Sequence, residues 1–278
     1  MPFARNGSIT LHWESFGAGP ALLLLAGQGM TIDGWWATIP VLARSFRVIA
    51  FDNRDTGRSS RVRWRYSAAQ MAEDAAAVLD AAGERRAHVY GISMGSLVAQ
   101  ELALRHPDRV EALVLGASSA GGYAAYKPSP SSLAQTFLVR AGAMGAEEAE
   151  WAAVPYTYAE RTRRHHLDRI GADIAHRVSS PPEPLVYLRQ AAAVAAHDAY
   201  QRLNRLSAPT LVVHGEQDVF VPPVNALVLA EKIPAAQLQL WPNAAHMYTI
   251  DEPKADQEIA QFLLGQSVVE PMRNLAAA

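Results

Sequence analysis

Gly91-Ile92-Ser93-Met94-Gly95 is the stretch of sequence that decides the fold of this chain. A short β-leaning run at 87–90 precedes it, and a run with apolar residues at helical spacing at 96–106 follows it. A serine on such a strand-to-helix turn is strained and exposed, and the flanking glycines leave room for the neighbouring strand and helix. The N–H groups that open the helix point at the same place. The pattern alone is common by chance, so its meaning depends on the rest of the chain.

Runs typical of buried strands alternate with runs typical of helices on both sides of this turn. The sequence predicts strands at 8–16, 21–25, 46–51, 87–90, 110–115, 210–214 and 238–241. It predicts helices from Asp33 through Arg44, at 68–82 after a Ser67 cap, at 226–233 and at 257–264. Such alternation indicates an α/β fold with a doubly wound, mostly parallel sheet and right-handed crossovers.

The alternation breaks between residues 118 and 206. This part is rich in alanine, tyrosine, arginine and proline, and it contains helix-like patches but no clear buried strand. We therefore predict a core of residues 1–117 and 207–265, a helical cap at 118–206, and a frayed C-terminal tail at 266–278.

Composition limits the classes of partner. The 278 residues are 50% hydrophobic and carry a net charge of −2, which suits a globular domain and gives no reason to expect nucleic acid or an anionic membrane as partner. The absence of cysteine excludes disulfides, thiolate nucleophiles and cysteine-ligated metals, and no metal site is predicted. The chain starts without an apolar signal segment and has no run long enough for membrane insertion, so we expect a cytoplasmic protein. The oligomeric state is left open.

Two further residues follow Ser93 in the order acid, then histidine. Asp218 comes just after the strand predicted at 210–214, and His246 lies in the loop after the strand predicted at 238–241. A serine needs a base to remove its proton, and the base needs an acid to orient it. Because the carboxyl ends of parallel strands collect catalytic groups, we predict the triad Ser93, Asp218 and His246. Glu216 is the alternative acid, and Asp218 could instead serve only to cap the next turn.

The oxyanion hole is predicted from two backbone N–H groups, those of Gln28 and Met94. Gly27 and Gly29 flank Gln28 and would let the backbone approach the developing charge. A flexible glycine turn without that role is the alternative.

With these motifs the chain resembles the α/β-hydrolase superfamily over nearly its whole length outside the insertion. The matching stretches are 22–29, 52–59, 91–95, 106–110, 214–222 and 243–246. Within the superfamily it is most similar to small cofactor-free esterases related to 3-oxoadipate enol-lactonases and to methyl esterases of aromatic polyketides. The resemblance implies a Ser93–Asp218–His246 triad and no cofactor. Ala26-Gly27 stands where most members carry His-Gly.

The residues expected to line a substrate pocket are mostly apolar or aromatic. They are Gly27, Met30, Trp35, Trp36, Met94, Met247 and Tyr248 in the core, and Tyr123, Tyr126, Phe137, Met144, Trp151, Tyr156 and Tyr158 in the cap. Together they indicate a small hydrophobic substrate, of aromatic or polyketide-like type. The charged residues at 161 and 163–166 are interpreted as a solvated helix face, with an anion-binding site as the alternative.

The function expected from these features is hydrolysis of a carboxylic ester or lactone. One alternative is a non-hydrolytic enzyme on the same scaffold, catalysing elimination, cyclisation or cofactor-free oxygenation with Ser93 and His246 transferring a proton. A third possibility is a ligand-binding receptor with a vestigial triad, which the intact triad positions disfavour.

Overall fold

The described part of the chain forms an eight-stranded sheet with the order β1-β2-β4-β3-β5-β6-β7-β8. The structure is a computed structural model, and it describes residues 2–128, 130 and 145–265. The strands are β1 (Phe3–Asn6), β2 (Ile9–Phe16), β3 (Ala21–Leu25), β4 (Arg47–Phe51), β5 (Ala87–Ile92), β6 (Val110–Gly116), β7 (Thr210–Gly215) and β8 (Gln237–Trp241). The pairs formed among β3 to β8 are all parallel, whereas β1 pairs antiparallel with β2 and β2 pairs antiparallel with β4. The predicted α/β fold with a mostly parallel sheet is confirmed.

Helices cover both faces of this sheet. In chain order they are α1 (Ile39–Leu42), α2 (Ala68–Ala81), α3 (Met94–Arg105), α4 (Ala146–Thr157), α5 (Glu160–His165), α6 (Leu167–Arg177), α7 (Pro184–Ala196), α8 (Val224–Lys232), α9 (Tyr248–Asp251) and α10 (Ala255–Leu263). Short 3₁₀ segments lie at Ile32–Trp35, Pro107–Arg109, Gly122–Ala124 and Tyr200–Arg205. Within the described ranges, none of the helices combines the length and the apolar character needed to cross a bilayer.

Side chains that alternate along the central strand face two separate cores. On β3, Leu23 and Leu25 join the cluster that includes α2 and α3, whereas Leu22 and Leu24 join the cluster that includes α1 and α10. All five residues of β3 are buried, as expected for a strand covered by helices on both faces.

The prediction of a single helix from Asp33 through Arg44 is wrong. The segment consists of the 3₁₀ turn Ile32–Trp35, in which Asp33 is an internal residue, and the four-residue α1. Pro40 lies in the first turn of α1, where its missing N–H is tolerated, but that same property prevents a helix from continuing through it. By contrast, α2 starts after Ser67 as expected, with a reciprocal Ser67–Gln70 capping box.

The four helices α4 to α7 lie between β6 and β7 in the chain and make up the described part of the cap. A buried ion pair connects α7 to the core, because Arg189 Nε of α7 lies 2.8 Å from Oδ2 of Asp55 in the loop after β4. Phe137 and Met144 and the tail at 266–278 lie outside the described residues.

Candidate active site

Ser93 occupies a sharp turn between β5 and α3. Its backbone angles are φ 54° and ψ −123°, a strained conformation for a residue with a side chain. A Cβ at Gly95 would overlap the carbonyl oxygen of Leu25, and one at Gly91 would overlap that of Gly95. Both glycines are therefore required by the close approach of backbone segments.

The three residues of the predicted triad lie in hydrogen-bonding order. His246 Nε2 is 3.1 Å from Ser93 Oγ, and His246 Nδ1 is 2.8 Å from Asp218 Oδ2. With Nδ1 donating to the carboxylate, Nε2 is left to accept the serine proton. This arrangement can activate a hydroxyl as a nucleophile. The catalytic roles of the three side chains stay predictions.

Asp218 is fully surrounded by hydrogen-bond donors. The N–H groups of Phe220 and Val221 each donate to Oδ1 at 2.9 Å. Besides His246, His214 places its Nε2 3.2 Å from Oδ2 and 2.8 Å from the carbonyl oxygen of Val221. Because both neighbours of that nitrogen are acceptors, His214 must carry a proton on Nε2.

These contacts keep Asp218 ionised. Burial acts to raise the pKa of the carboxyl, but the charge of His246 and the hydrogen bonds from His214 and His246 outweigh it and hold the pKa well below its ordinary value. A buried carboxylate of this kind can orient an imidazole and stabilise its protonated form. Glu216, the alternative acid, is exposed, and no contact between it and His246 is found.

The loop after β3 lies next to Ser93. A Cβ at Gly27 would come 3.5 Å from Ser93 Cβ. Met94 is the first residue of α3, so its N–H group belongs to the unpaired first turn of that helix. Gln28 and Met94 both line the same cavity as Ser93. The oxyanion role of their N–H groups stays a prediction.

A cavity of about 770 Å³ opens above Ser93, between the sheet and the cap. Eight residues singled out from the sequence line it: Gly27, Gln28, Met30, Ser93, Met94, Tyr126, His246 and Met247. The lining is mainly apolar, which suits a hydrophobic small molecule.

Several aromatic residues expected at the pocket lie outside this lining. Trp35 is buried against Tyr90, with 5.4 Å between ring centroids. Trp36 stacks on His176 and donates to Asp173, while Tyr123 packs edge-on against Tyr200. Trp151, Tyr156, Tyr158 and Tyr248 are likewise absent from the lining. Aromatic character alone does not indicate which face of a cap helix points inward.

Other lining residues were not singled out from the sequence. They include Tyr187, Leu188, Ala191 and Val194 of α7, Phe220 beside Asp218, and the charged pair Glu150 and Arg177. The spacing of 187, 188, 191 and 194 is that of one helix face, which is the signal that could have marked them. The predicted solvated run at 161–166 contributes none of the lining residues.

The described residues contain no group of three or more histidine, aspartate or glutamate side chains placed to hold a metal ion.

Comparisons with known proteins identify the family of the chain. Residues 20–253 match the family model described as "alpha/beta hydrolase fold". The chain belongs to the α/β-hydrolase fold family. The chain is a hydrolase, as are the relatives described next.

A putative carbamate hydrolase RutD of Azorhizobium caulinodans is 32% identical to the chain, covering 96% of the chain and 99% of the relative. A pimeloyl-[acyl-carrier protein] methyl ester esterase of Aeromonas hydrophila is 31% identical, covering 91% and 98%. Among solved structures, Est816, described as an N-acyl homoserine lactone degrading enzyme, superposes with a TM-score of 0.77 at 29% identity, covering 95% and 99%.

Proposed function

We propose that this hydrolase cleaves a carboxylic ester or lactone of a small hydrophobic molecule through a Ser93–His246–Asp218 triad. The observation that carries the proposal is the hydrogen-bonded line from Asp218 through His246 to Ser93 at the base of a mainly apolar cavity. The methyl ester esterase and the lactone-degrading relative support this choice of bond.

In the proposed reaction, His246 Nε2 takes the proton of Ser93 as Oγ attacks the carbonyl carbon. The tetrahedral oxyanion accepts hydrogen bonds from the N–H groups of Gln28 and Met94. Collapse of this intermediate breaks the bond to the alcohol oxygen, which leaves with the proton from His246. Water, deprotonated by the same histidine, then attacks the acyl carbon, and the bond to Ser93 Oγ breaks as His246 returns the proton to that oxygen, which releases the acid.

The size and lining of the cavity guide the choice of substrate. At about 770 Å³ it can hold a molecule considerably larger than acetate, in a range typical of drug-sized ligands. Met30, Met94 and Met247 contribute flexible thioether side chains that adapt to aromatic or aliphatic groups. Aromatic or polyketide-like esters are therefore included in the proposal.

The experiment that tests the reaction uses p-nitrophenyl esters of increasing acyl length and a fluorophosphonate probe. We expect turnover of the esters, labelling of Ser93, and loss of both in Ser93→Ala. Labelling without turnover of any ester would favour elimination, cyclisation or oxygenation instead. A folded protein that is neither labelled nor active would contradict an activated serine and favour a ligand-binding receptor.

Carbamate cleavage is the second candidate, because the carbamate hydrolase relative aligns over nearly the whole chain. The same serine could attack a carbamate carbonyl, which is less electrophilic than an ester. The two candidates are separated by comparing kcat/KM for p-nitrophenyl butyrate and its isostere p-nitrophenyl N-ethylcarbamate. Each kcat/KM is divided by the rate constant of uncatalysed hydrolysis of the same compound. A larger normalised value for the ester supports the first candidate, and a larger one for the carbamate supports the second.

A further inference from the structure

The cap places a pair of opposite charges in the wall of the mainly apolar cavity. Glu150 comes from α4 and Arg177 from the end of α6, and both line the cavity that contains Ser93 and His246. Arg177 Nη2 lies 2.7 Å from Glu150 Oε2, and the two side chains are 19% and 14% exposed. This pair, which we call the polar pole, is held by the cap, whereas the triad is held by the sheet.

The groups behind Arg177 fix its position and charge. Arg177 Nη1 lies 3.7 Å from Asp173 Oδ2, and that carboxylate oxygen accepts a hydrogen bond of 2.6 Å from the Tyr158 hydroxyl. Burial acts to lower the pKa of Arg177, but Glu150, Tyr158 and Asp173 outweigh it and hold the pKa above its ordinary value. The guanidinium is therefore a fixed cation facing the cavity.

Stability alone does not account for charges at this place. Removing two charged groups from water is expensive, and well-packed apolar residues of similar volume often stabilise a fold as much or more. A cavity that bound only hydrocarbon would leave the polar pole desolvated without new hydrogen bonds, which is costly. The position of the pair in the lining therefore points to a polar group on the ligand.

We infer that the polar pole binds the end of the substrate away from the scissile bond and selects a neutral group that both donates and accepts hydrogen bonds, such as a primary amide or ureido group. Such a group can donate to Glu150 and accept from Arg177 without breaking the ion pair. The inference rests on the proposed function, because it names the substrate class of that same site.

Other end groups fit the polar pole less well. A terminal carboxylate would compete with Glu150 for Arg177 and would add a third negative charge beside Asp173. A terminal ammonium would have to displace Arg177 from Glu150. A terminal methyl group offers neither a donor nor an acceptor, so both charges would be desolvated without compensation.

A purely structural role makes a different prediction. If the pair only ties α4 to α6, its removal changes stability but leaves the ratio of kcat/KM between two matched substrates unchanged. Selectivity is therefore the decisive measurement.

The test uses p-nitrophenyl acyl esters of several chain lengths, each made with a terminal amide, carboxylate or methyl group. For the wild type we expect one chain length at which kcat/KM for the amide exceeds that for the methyl analogue roughly tenfold or more. In the double variant Glu150→Leu/Arg177→Met the ratio of kcat/KM for the amide to kcat/KM for the methyl analogue should fall to about one. No amide preference in the wild type, or a preference that survives the double substitution, overturns the inference.

Two further variants keep the result interpretable. Arg164→Met removes an exposed ion pair with Glu160 on the same cap, outside the cavity lining, and should keep the amide preference. If the double variant does not fold, Arg177→Lys keeps the charge but loses the planar fork, and it should reduce the preference several-fold. An unchanged preference in Arg177→Lys then overturns the inference.

The outcomes for the inference and for the proposed function are distinguishable. Ester turnover without an amide preference contradicts only this inference, whereas no turnover of any ester contradicts the proposed function itself.

Discussion

Asp218 has the most constrained side chain of the candidate site. Two backbone N–H groups, the His246 ring and the His214 ring all converge on its two oxygens. A carboxylate held in this way cannot rotate, so the direction of the His246 ring is fixed together with the tautomer that faces Ser93. The backbone strain at Ser93 presents the hydroxyl to that ring.

The identity of the acid can be decided by two single substitutions. Asp218→Asn keeps the size of the side chain but favours the wrong tautomer of His246, and we expect kcat to fall by about 10⁴-fold, as for the equivalent change in a serine protease triad. Glu216→Gln alters an exposed carboxylate that follows the same strand and should leave kcat within about twofold. Steady-state kinetics with a p-nitrophenyl ester measures both. The reverse pattern would assign the acid to Glu216.

His214 shows what the sequence does not reveal at this scale. The order of Ser93, Asp218 and His246, each after a predicted strand, was enough to single them out. The sequence predicts His214 only as the last residue of the strand at 210–214, because nothing in its spacing tells which way its ring turns. Its proximity to Asp218 depends on the tight turn that follows β7, where the Asp218 N–H donates to the carbonyl oxygen of Gly215.

At the scale of elements, the cap helix α7 is hydrogen-bonded to the predicted oxyanion loop. The Gly29 N–H donates to Gln190 Oε1 at 2.8 Å, and Gln28 Nε2 donates to the Tyr187 carbonyl oxygen at 2.8 Å. The Tyr187 ring also lies directly against Gly29. Since the Gln28 N–H is a predicted oxyanion donor, we infer that α7 positions the loop that holds it.

This inference predicts a specific effect of Gln190→Met. The variant keeps the side-chain length but leaves the buried Gly29 N–H without its acceptor, so the loop should shift. We expect kcat to fall roughly tenfold with little change in KM, because the oxyanion contact strengthens in the transition state. Leu185→Ala, an exposed site on the same helix, is the matched control and should leave both constants unchanged. Equal losses in the two variants, or a change confined to KM, would contradict a positioning role.

Element boundaries and element contacts were not equally predictable. Apolar runs and caps predicted α2 and seven of the eight strands but not β1, and the predicted helix from Asp33 failed because Pro40 interrupts it. The pairing of Gln190 with Gly29 joins residues 161 positions apart. Helical periodicity identifies residues that share a face, whereas the surface that this face meets depends on the packing of the whole cap.

Across the whole molecule, two buried titratable groups lie on opposite faces of the sheet. His197 contacts Gln100 of α3, and Asp256 of α10 contacts Thr38 before α1. Burial lowers the pKa of His197 to about 4. Burial also raises the pKa of Asp256 to about 7, and its Oδ1 has no hydrogen-bond partner within the described part of the chain. The folded state therefore favours the neutral form of each group.

The two groups have opposite effects on stability between about pH 4 and pH 7. For His197 the unfolded chain binds more protons, so its contribution to stability is lost as the pH falls through this range. For Asp256 the folded chain holds the proton, so its contribution is present at low pH and is lost as the pH rises toward 7. In the wild type the two slopes partly cancel.

Asp256→Asn should remove one of these slopes. The amide is neutral at every pH, so the variant does not lose stability as the pH rises through the pKa of Asp256. The difference in free energy of unfolding, variant minus wild type, should therefore increase by up to about 4 kcal/mol between pH 4 and pH 7. This figure is the pKa shift of Asp256 multiplied by about 1.36 kcal/mol per pKa unit. Urea unfolding of both proteins at several pH values in this range measures the difference. A difference that does not vary with pH would mean that Asp256 has the same pKa in the folded and unfolded chains. Because the variant removes the carboxyl whose contribution falls with rising pH, the stability of Asp256→Asn should rise with pH more steeply than that of the wild type.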